Sequence, residues 1–140
     1  MMIRYCSALL ICASLAGCMT VPVDVETGPR APASAFLDPS LLQSAPDKGE
    51  IRIARDAGVS GAAVNVLIYL DGRHVVNVDA NRVAVLRVPA GMRKIGIQYF
   101  NVSEPVEYHE LRVEPGKHYD YRISGTAGML MGEWRFERLN

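Results

Sequence analysis

The chain has 140 residues, a length that fits one domain. Lys plus Arg and Asp plus Glu each number 15, so the formal net charge is zero, which argues against nucleic-acid binding because such proteins usually carry a clear basic excess. Hydrophobic residues make up 49% and charged residues 21%, a globular composition. Since Cys6, Cys12 and Cys18 all fall in the first eighteen residues, the rest of the chain holds neither a disulfide framework nor a cysteine metal site.

The first segment has the organisation of an export signal. Arg4 is the only charged residue before Asp24, and a continuous apolar stretch runs from Tyr5 to Ala16. At ~1.5 Å per residue, a helix over this stretch covers ~18 Å, which is too short for the roughly 30 Å hydrocarbon core of a bilayer. Residues 1–17 are therefore predicted to be a signal peptide and not a transmembrane helix.

The signal segment ends in Leu15-Ala16-Gly17-Cys18. This pattern resembles the lipobox of bacterial lipoproteins, in which the cysteine thiol takes up a diacylglyceryl group and becomes the first mature residue. The resemblance implies that Cys18 is the lipidation site and that its acyl chains hold the protein on a membrane. Residue 19 is Met and not the Asp that resembles an inner-membrane retention signal, which favours the Gram-negative outer membrane with the domain facing the periplasm. An ordinary secretory signal with a chance cysteine is the alternative.

Residues 18–49 are rich in proline. Five of the eight prolines lie there, and neither a helical nor a strand period persists through them. We therefore predict a lipidated N-terminus followed by a disordered tether with an r.m.s. span of about 30 Å. Four apolar residues leave open a short helical turn docked on the domain, or a partner-binding segment. They are Phe36, Leu37, Leu41 and Leu42.

From residue 50 onward the apolar residues alternate with a period of two, as in β-strands. Asp71-Gly72 is a strong hairpin signal, and Pro115-Gly116 has the residue order of a type II turn. The predicted strands cover about 50–54, 64–70, 73–79, 83–88, 93–100, 106–113, 118–124 and 133–139. Residues 50–140 are therefore predicted to form an all-β domain, a small antiparallel β-sandwich of about seven or eight strands. A small closed barrel is the alternative.

Three segments of this domain carry a second resemblance: Val66–Arg73, Leu86–Met92 and Leu111–Tyr119. They resemble PEGA-type domains and related lipoprotein domains of bacterial envelope proteins. In those domains a strand ending in Asp-Gly-Lys/Arg is followed by a valine-rich strand, a Pro-x-Gly turn and a strand opened by Gly-Lys-x-Tyr. The resemblance implies a transthyretin-like or immunoglobulin-like sandwich that serves as an accessory or interaction module without a catalytic site.

Sequence patterns for catalysis or metal binding are missing from the mature chain. It contains no Gly-x-Ser-x-Gly, no His-Glu-x-x-His and no phosphate-binding glycine loop. His109 and His118 flank the predicted turn at Pro115-Gly116, where they would face each other across a hairpin, but they match no established metal-ligand spacing. We therefore expect solvated histidines, and neither a metal, a cofactor nor an enzymatic activity.

Two sets of residues are candidates for binding. The segment Gly125–Gly132 holds apolar residues between glycines, and adaptable Met-rich surfaces suit protein contacts. Its candidate partner-binding residues, together with the tryptophan that follows, are Met129, Leu130, Met131 and Trp134. Aromatic side chains on a sheet face stack on sugar rings, and the glycan-binding candidates are Tyr99, Tyr119 and Tyr121. For both sets, packing in or around the core is the alternative.

These observations predict a membrane-anchored, non-catalytic envelope lipoprotein. Its sandwich is expected to contact another envelope protein through a strand edge or through residues 125–132. The alternative is a glycan-binding module, for example for peptidoglycan, that uses Tyr and Trp side chains on one sheet face.

Overall fold

The computed structural model describes residues 21–58, 65–99, 106–125 and 134–140. Its eight strands are β1 (Lys48–Arg55), β2 (Val66–Leu70), β3 (Arg73–Val78), β4 (Arg82–Pro89), β5 (Gly91–Gln98), β6 (Glu107–Val113), β7 (His118–Gly125) and β8 (Trp134–Arg138). Sheet 1 has the order β4-β1-β7-β8, and sheet 2 has the order β3-β2-β5-β6. The predicted all-β sandwich is confirmed. Its described strand pairs are antiparallel except β1 and β7, which run parallel.

The strand order separates the two sandwich classes that the sequence predicted. In an immunoglobulin domain the first strand pairs with the second, whereas here β1 lies between β4 and β7. The observed strand order is therefore not the immunoglobulin order. Successive strands run in opposite directions, so their connections alternate between two ends of the sandwich. We call the end where β1 and β7 finish the Ala57 end, and the end with the turns at Asp71-Gly72 and Pro115-Gly116 the Gly116 end.

The core lies between the two sheets and follows the period of two in the sequence. In β2 the side chains of Val66, Ile68 and Leu70 point into the core and are buried. Leu67 and Tyr69, between them, are half-buried on the outer face. The φ angles of Asp71 (50°) and Gly72 (84°) are both positive, as a type I′ hairpin turn requires, which confirms that turn. The largest apolar side chains that are almost completely buried are those of Ile51, Ile53, Ile68, Leu86, Ile95, Ile97, Tyr121 and Ile123.

Residues 21–49 lie against the sandwich, and the predicted disordered tether is wrong over this range. They contain two short 3-10 helices, Ala33–Ala35 and Pro39–Leu42. Phe36 and Leu41 are buried in the main core, while Leu37 is exposed. The docked-turn alternative is therefore the one observed. Prolines removed the periodic pattern from this segment but left its apolar side chains, and burying those side chains is favourable in any backbone conformation.

The same segment pairs with the outer edges of β3 and β4. The Val83 N–H donates to the Pro29 carbonyl at 2.8 Å, and the Ala31 N–H donates to the Val83 carbonyl at 2.8 Å. At β3, the Leu37 N–H donates to the Val75 carbonyl at 2.8 Å. These bonds satisfy edge groups that would otherwise invite pairing with another chain. The segment thus closes the side of the sandwich between β3 and β4. In the part of the chain that the structure describes, no helix is long and apolar enough to cross a membrane.

Candidate functional site

The tyrosines predicted to bind glycan do not form an exposed platform. Tyr119 and Tyr121 are buried between the sheets. Tyr99 is half-buried, and its ring stacks on Trp134 with 4.9 Å between the centroids. Stacking on a sugar needs an exposed ring face, so these three residues have the packing role that the sequence left as the alternative. Tyr99 continues the side of β5 that carries Ile95 and Ile97, and Tyr119 and Tyr121 lie on the side of β7 that carries Ile123. Both sides face the core.

The hydroxyl groups of these tyrosines differ in their partners. Among the described residues, neither Tyr99 Oη nor Tyr121 Oη has a hydrogen-bond partner. Removal from water raises the pKa of both phenols, and the negative charge of Glu107 adds to the rise at Tyr99. Tyr119 is satisfied, because its hydroxyl oxygen accepts a hydrogen bond from the Glu114 backbone N–H at 2.9 Å. The two unpartnered hydroxyls are features of the core and not of a cleft.

Trp134 is the one predicted partner-binding residue that lies within the described ranges, and it covers the Ala57 end of the core. Besides stacking on Tyr99, it has the Arg55 guanidinium carbon 5.5 Å from its ring centroid. Arg55 is buried and donates to the Val78 carbonyl at 2.6 Å. Burial lowers the pKa of Arg55, and the negative charge of Asp79 opposes this shift. The other predicted partner-binding residues, Met129, Leu130 and Met131, lie outside the described residues.

The two histidines that flank the turn at Pro115-Gly116 do not face each other, because β6 and β7 belong to different sheets. The predicted hairpin at this turn is therefore wrong, although Gly116 has the positive φ (75°) that a type II turn needs. The His109 ring stacks on Phe136 with 4.6 Å between the centroids, whereas His118 is exposed at the Gly116 end. Within the described ranges, no group of three His, Cys, Asp or Glu side chains is placed to hold a metal ion.

The outer face of sheet 2 carries an aromatic arrangement that the sequence did not predict. The register pairs His74 with Tyr69, Tyr69 with Gly96, and Gly96 with Tyr108. These four residues, which we call the aromatic row, therefore form one line across all four strands of the sheet. The Tyr69 and His74 rings stack, with 5.5 Å between the centroids and 25° between the planes. Three rings and one bare glycine thus share one outward face.

Gly96 makes room for the Tyr108 ring. A Cβ atom at position 96 would lie 2.7 Å from both Cδ1 and Cε1 of Tyr108, and 2.8 Å from a methyl carbon of Val106. Such distances are shorter than carbon atoms tolerate, so only glycine lets the ring lie directly against the backbone. Tyr108 nevertheless remains 40% exposed. The strand therefore lets an aromatic ring contact the sheet backbone at Gly96 while leaving much of the ring open to solvent.

Polar partners hold the row in place. The Tyr69 hydroxyl donates to Gln98 Oε1 at 2.8 Å, and His74 Nε2 lies 2.8 Å from Asn77 Oδ1. These bonds restrict the side-chain rotamers of the row, which lowers the entropy that binding would otherwise cost. The row is thus preorganised by its neighbours.

The surface beside the row combines charged and apolar groups. Lys94 Nζ lies 3.6 Å from a carboxylate oxygen of Glu110, and the two side chains form an exposed ion pair next to Tyr108. A depression of about 500 Å³ is lined by this pair, Tyr108 and the turn at Asp71-Gly72. Met92, on the same outer face, is 56% exposed. The outer face of sheet 2 is therefore a surface with exposed aromatic and thioether groups inside a polar rim.

The outer face of sheet 1 is different, because ion pairs and the N-terminal segment occupy it. Arg52 Nε and Nη2 donate to the two carboxylate oxygens of Asp120 at 2.7 and 2.8 Å. Arg122 donates to buried Asp56 through both Nε and Nη2, at 2.6 to 3.1 Å. Val25 packs over the β1 and β4 part of the same face. The N-terminal segment therefore covers part of the outer face of sheet 1, and the outer face of sheet 2 is the candidate binding surface.

No protein-family model matches this chain, and comparisons with curated proteins and with solved structures found no match. The candidate site is therefore identified from the geometry of the described residues alone. The sequence held one signal for it, since Tyr108 falls on the side of its predicted strand that carries Glu110 and Arg112. Only the strand register shows that the two tyrosines lie on one line with Gly96 between them.

Proposed function

We propose that this protein is a lipid-anchored lipoprotein of the bacterial envelope that binds another envelope protein through the outer face of sheet 2. The lipobox at residues 15–18 supports export and lipidation at Cys18. Met19 supports the outer membrane as the destination. The observation that carries the binding role is the aromatic row, in which Tyr108 lies against Gly96 and stays exposed.

The chemistry of this face fits a protein partner. Exposed Tyr and Met side chains are enriched in protein interfaces relative to the rest of the surface. Here Tyr108 and Met92 stand on either side of the ion pair between Lys94 and Glu110. A partner that covers both apolar groups also covers the ion pair between them, and charged groups at such a position affect orientation and specificity more than affinity.

A face is favoured over a strand edge as the contact surface. Among the described residues, no strand pairs with the outer edges of β6 and β8. These strands carry charged side chains, however, and charges on edge strands are a common device against pairing with other chains. The charged residues are Glu107, Glu110 and Arg112 in β6, and Arg135, Glu137 and Arg138 in β8.

A non-catalytic role agrees with the chemistry of the described residues. Burial shifts the pKa of Tyr99 and of Arg55, and both side chains pack against Trp134 at the Ala57 end of the core. Perturbed groups at enzyme active sites instead face a cleft that admits a substrate. The mature sequence also holds no free thiol nucleophile, since lipidation occupies the sulfur of Cys18.

Lipidation is tested on the intact protein. We expect the mass of the mature protein to equal residues 18–140 plus acyl groups, and we expect the protein to fractionate with membranes. In the variant Cys18→Ser, both the acyl mass and the membrane fractionation should disappear. A mature wild-type protein without acyl mass would contradict the anchor.

The partner surface is tested by photocrosslinking in cells. A benzoylphenylalanine at position 92 or 108 should form a reproducible adduct, whereas the same residue at exposed position 137 on the outer face of sheet 1 should not. Gly96→Ala displaces the Tyr108 ring without removing it, and we expect it to weaken the adduct formed from position 92. Equal adducts from positions 92 and 137, or an adduct from 92 that is insensitive to Gly96→Ala, would contradict the proposed surface.

A glycan ligand is the second candidate, and the exposed ring of Tyr108 is the observation that favours it. Exposed aromatic rings on a sheet face can stack on pyranose rings. We expect purified peptidoglycan to retain the wild-type protein, but not Tyr108→Ala, if this candidate is correct. Tyr119→Phe removes a hydroxyl from the core and leaves the face intact, so it is the matched control. Equal retention of wild type and Tyr108→Ala would exclude glycan binding at the row.

A further inference from the structure

The start of the described chain is tied to the Ala57 end of the sandwich. The Val21 N–H donates to the Ala57 carbonyl at 2.6 Å, and the Ala57 N–H donates back to Val21 at 2.9 Å. Two residues later, the Val23 N–H donates to the carboxylate of Asp56 at 3.2 Å. Asp56 in turn is buried in its ion pair with Arg122. Residues 21–23 are therefore held at the point where β1 ends.

Only a short stretch of chain separates this point from the lipidation site. Residue 21 is three positions after Cys18, and three residues reach at most ~11 Å even when fully extended. A polar headgroup layer is roughly 5–7 Å deep on each side of the hydrocarbon core. A lipidated Cys18 lies in that layer, so Val21 and Ala57 lie in it or directly above it. The stand-off of about 30 Å that a tether would provide is not available.

The two ends of the sandwich differ in their distance from Val21. β1 has eight residues, and at ~3.3 Å per residue its two ends are about 25 Å apart. Val21, at the Ala57 end, is 61% exposed, and half-buried Trp134 lies at the same end. Apolar and amphipathic aromatic side chains are favoured at the membrane–water interface. At the Gly116 end, the described residues include no segment that lies within a few residues of Cys18 in the chain.

The charges at the Ala57 end permit contact with a lipid surface. Among the described residues at that end, Asp79 and Glu107 are matched in charge by Arg82 and Arg135. These described charges therefore give negative lipids no strong net attraction or repulsion. The acyl chains, and not electrostatics, supply the binding free energy.

We propose that the protein sits directly on the bilayer, with the Ala57 end against the lipid headgroups and the Gly116 end pointing away. This orientation rests on the proposed lipidation of Cys18. The strands then stand roughly along the membrane normal, and the outer face of sheet 2 faces sideways. A partner on that face is contacted within about 25 Å of the membrane, the length of one strand.

The test uses the mature lipidated protein in nanodiscs, with one fluorescent label on a single introduced cysteine. Asn65→Cys places the label beside the start of β2 at the Ala57 end, and Ala90→Cys places it between β4 and β5 at the Gly116 end. Both positions are exposed. Lipids that carry a nitroxide on the headgroup should quench the label at position 65 several-fold more than the label at position 90.

A third form inserts a flexible Gly/Ser linker of about twenty residues between residues 20 and 21. Such a linker adds an r.m.s. span of ~25 Å, so quenching at position 65 should fall to the level of position 90. Equal quenching at positions 65 and 90 without the linker, or quenching at 65 that the linker leaves unchanged, would overturn the proposed orientation. The acyl mass of each sample is measured separately. If Cys18 carries no acyl group, the lipoprotein assignment itself fails, and this outcome is distinct from a lipidated protein with the wrong orientation.

Discussion

Phe36→Ala tests the packed N-terminal segment most directly. Phe36 is 8% exposed and belongs to the main core, where it fills the open side between β3 and β4. Removing a buried phenylalanine ring costs 3–5 kcal/mol, the sum of lost transfer free energy and the cavity that remains. Because Phe36 lies at the rim and the segment around it can partly collapse, we expect a loss of ~3 kcal/mol in the free energy of unfolding. A free tether would give no loss.

The assay is urea unfolding of an unlipidated Cys18→Ser form that starts at residue 18. Unfolding is monitored by Trp134 fluorescence and by circular dichroism. Leu37→Ala is the matched control, because Leu37 is the next residue but is 52% exposed. We expect it to change the free energy of unfolding by less than ~0.5 kcal/mol. In thermal unfolding, the Phe36→Ala loss corresponds to a decrease in Tm of roughly 10 °C. If Phe36→Ala and Leu37→Ala have the same small effect, the segment is not part of the core and the reasoning is refuted.

Three further predictions concern the core and its ion pairs. Tyr121→Phe should raise the free energy of unfolding by ~1 kcal/mol, because it removes a buried hydroxyl without a described partner; a loss of similar size in urea unfolding would mean that the hydroxyl is satisfied. Burial raises the folded-state pKa of Tyr99 and Tyr121. The folded state therefore favours the protonated phenols, and the stability that they contribute is complete below the unfolded tyrosine pKa of about 10. This stability is lost as the pH rises above that value. The urea midpoint should therefore fall more steeply between about pH 9 and 11 in wild type than in a variant with Phe at both positions, and equal slopes would contradict this. Arg122→Ala should cost ~3 kcal/mol because it leaves buried Asp56 unpaired, whereas exposed Arg135→Ala should change stability by less than ~0.5 kcal/mol in the same assay.

The strands illustrate what local sequence determines. Alternation of apolar and polar residues specifies which side of a strand is buried, and turn residues specify where it stops. All eight predicted strands occur in the structure, with bounds that differ by a few residues. The hairpin at Asp71-Gly72 was predictable for the same reason, since both residues tolerate the positive φ angles that they adopt. These properties depend only on neighbours along the chain.

The N-terminal segment shows where local information ends. Its prolines abolish any period, so the pattern from residue 18 to 49 resembles that of a tether. The burial of Phe36 depends on a gap between β3 and β4, and that gap exists only once the two sheets have packed. The difference between a tether and a docked segment changes the proposed function, because the docked segment places the proposed lipidation site within ~11 Å of residue 21 instead of about 30 Å from the domain.

The sequence by itself determined the strand content and most of the turns, and it predicts the export signal and the lipidation site, because each is encoded by residues close together in the chain. Tertiary structure decided which strands are neighbours, and therefore which tyrosines are buried and which are exposed. Tyr99, Tyr119 and Tyr121 fall on the side that packs against the opposite sheet, whereas Tyr69 and Tyr108 fall on the outer face. The register of β2, β5 and β6 then places Gly96 between Tyr69 and Tyr108. Register depends on pairing between residues distant in the chain, and no pattern within one strand contains it.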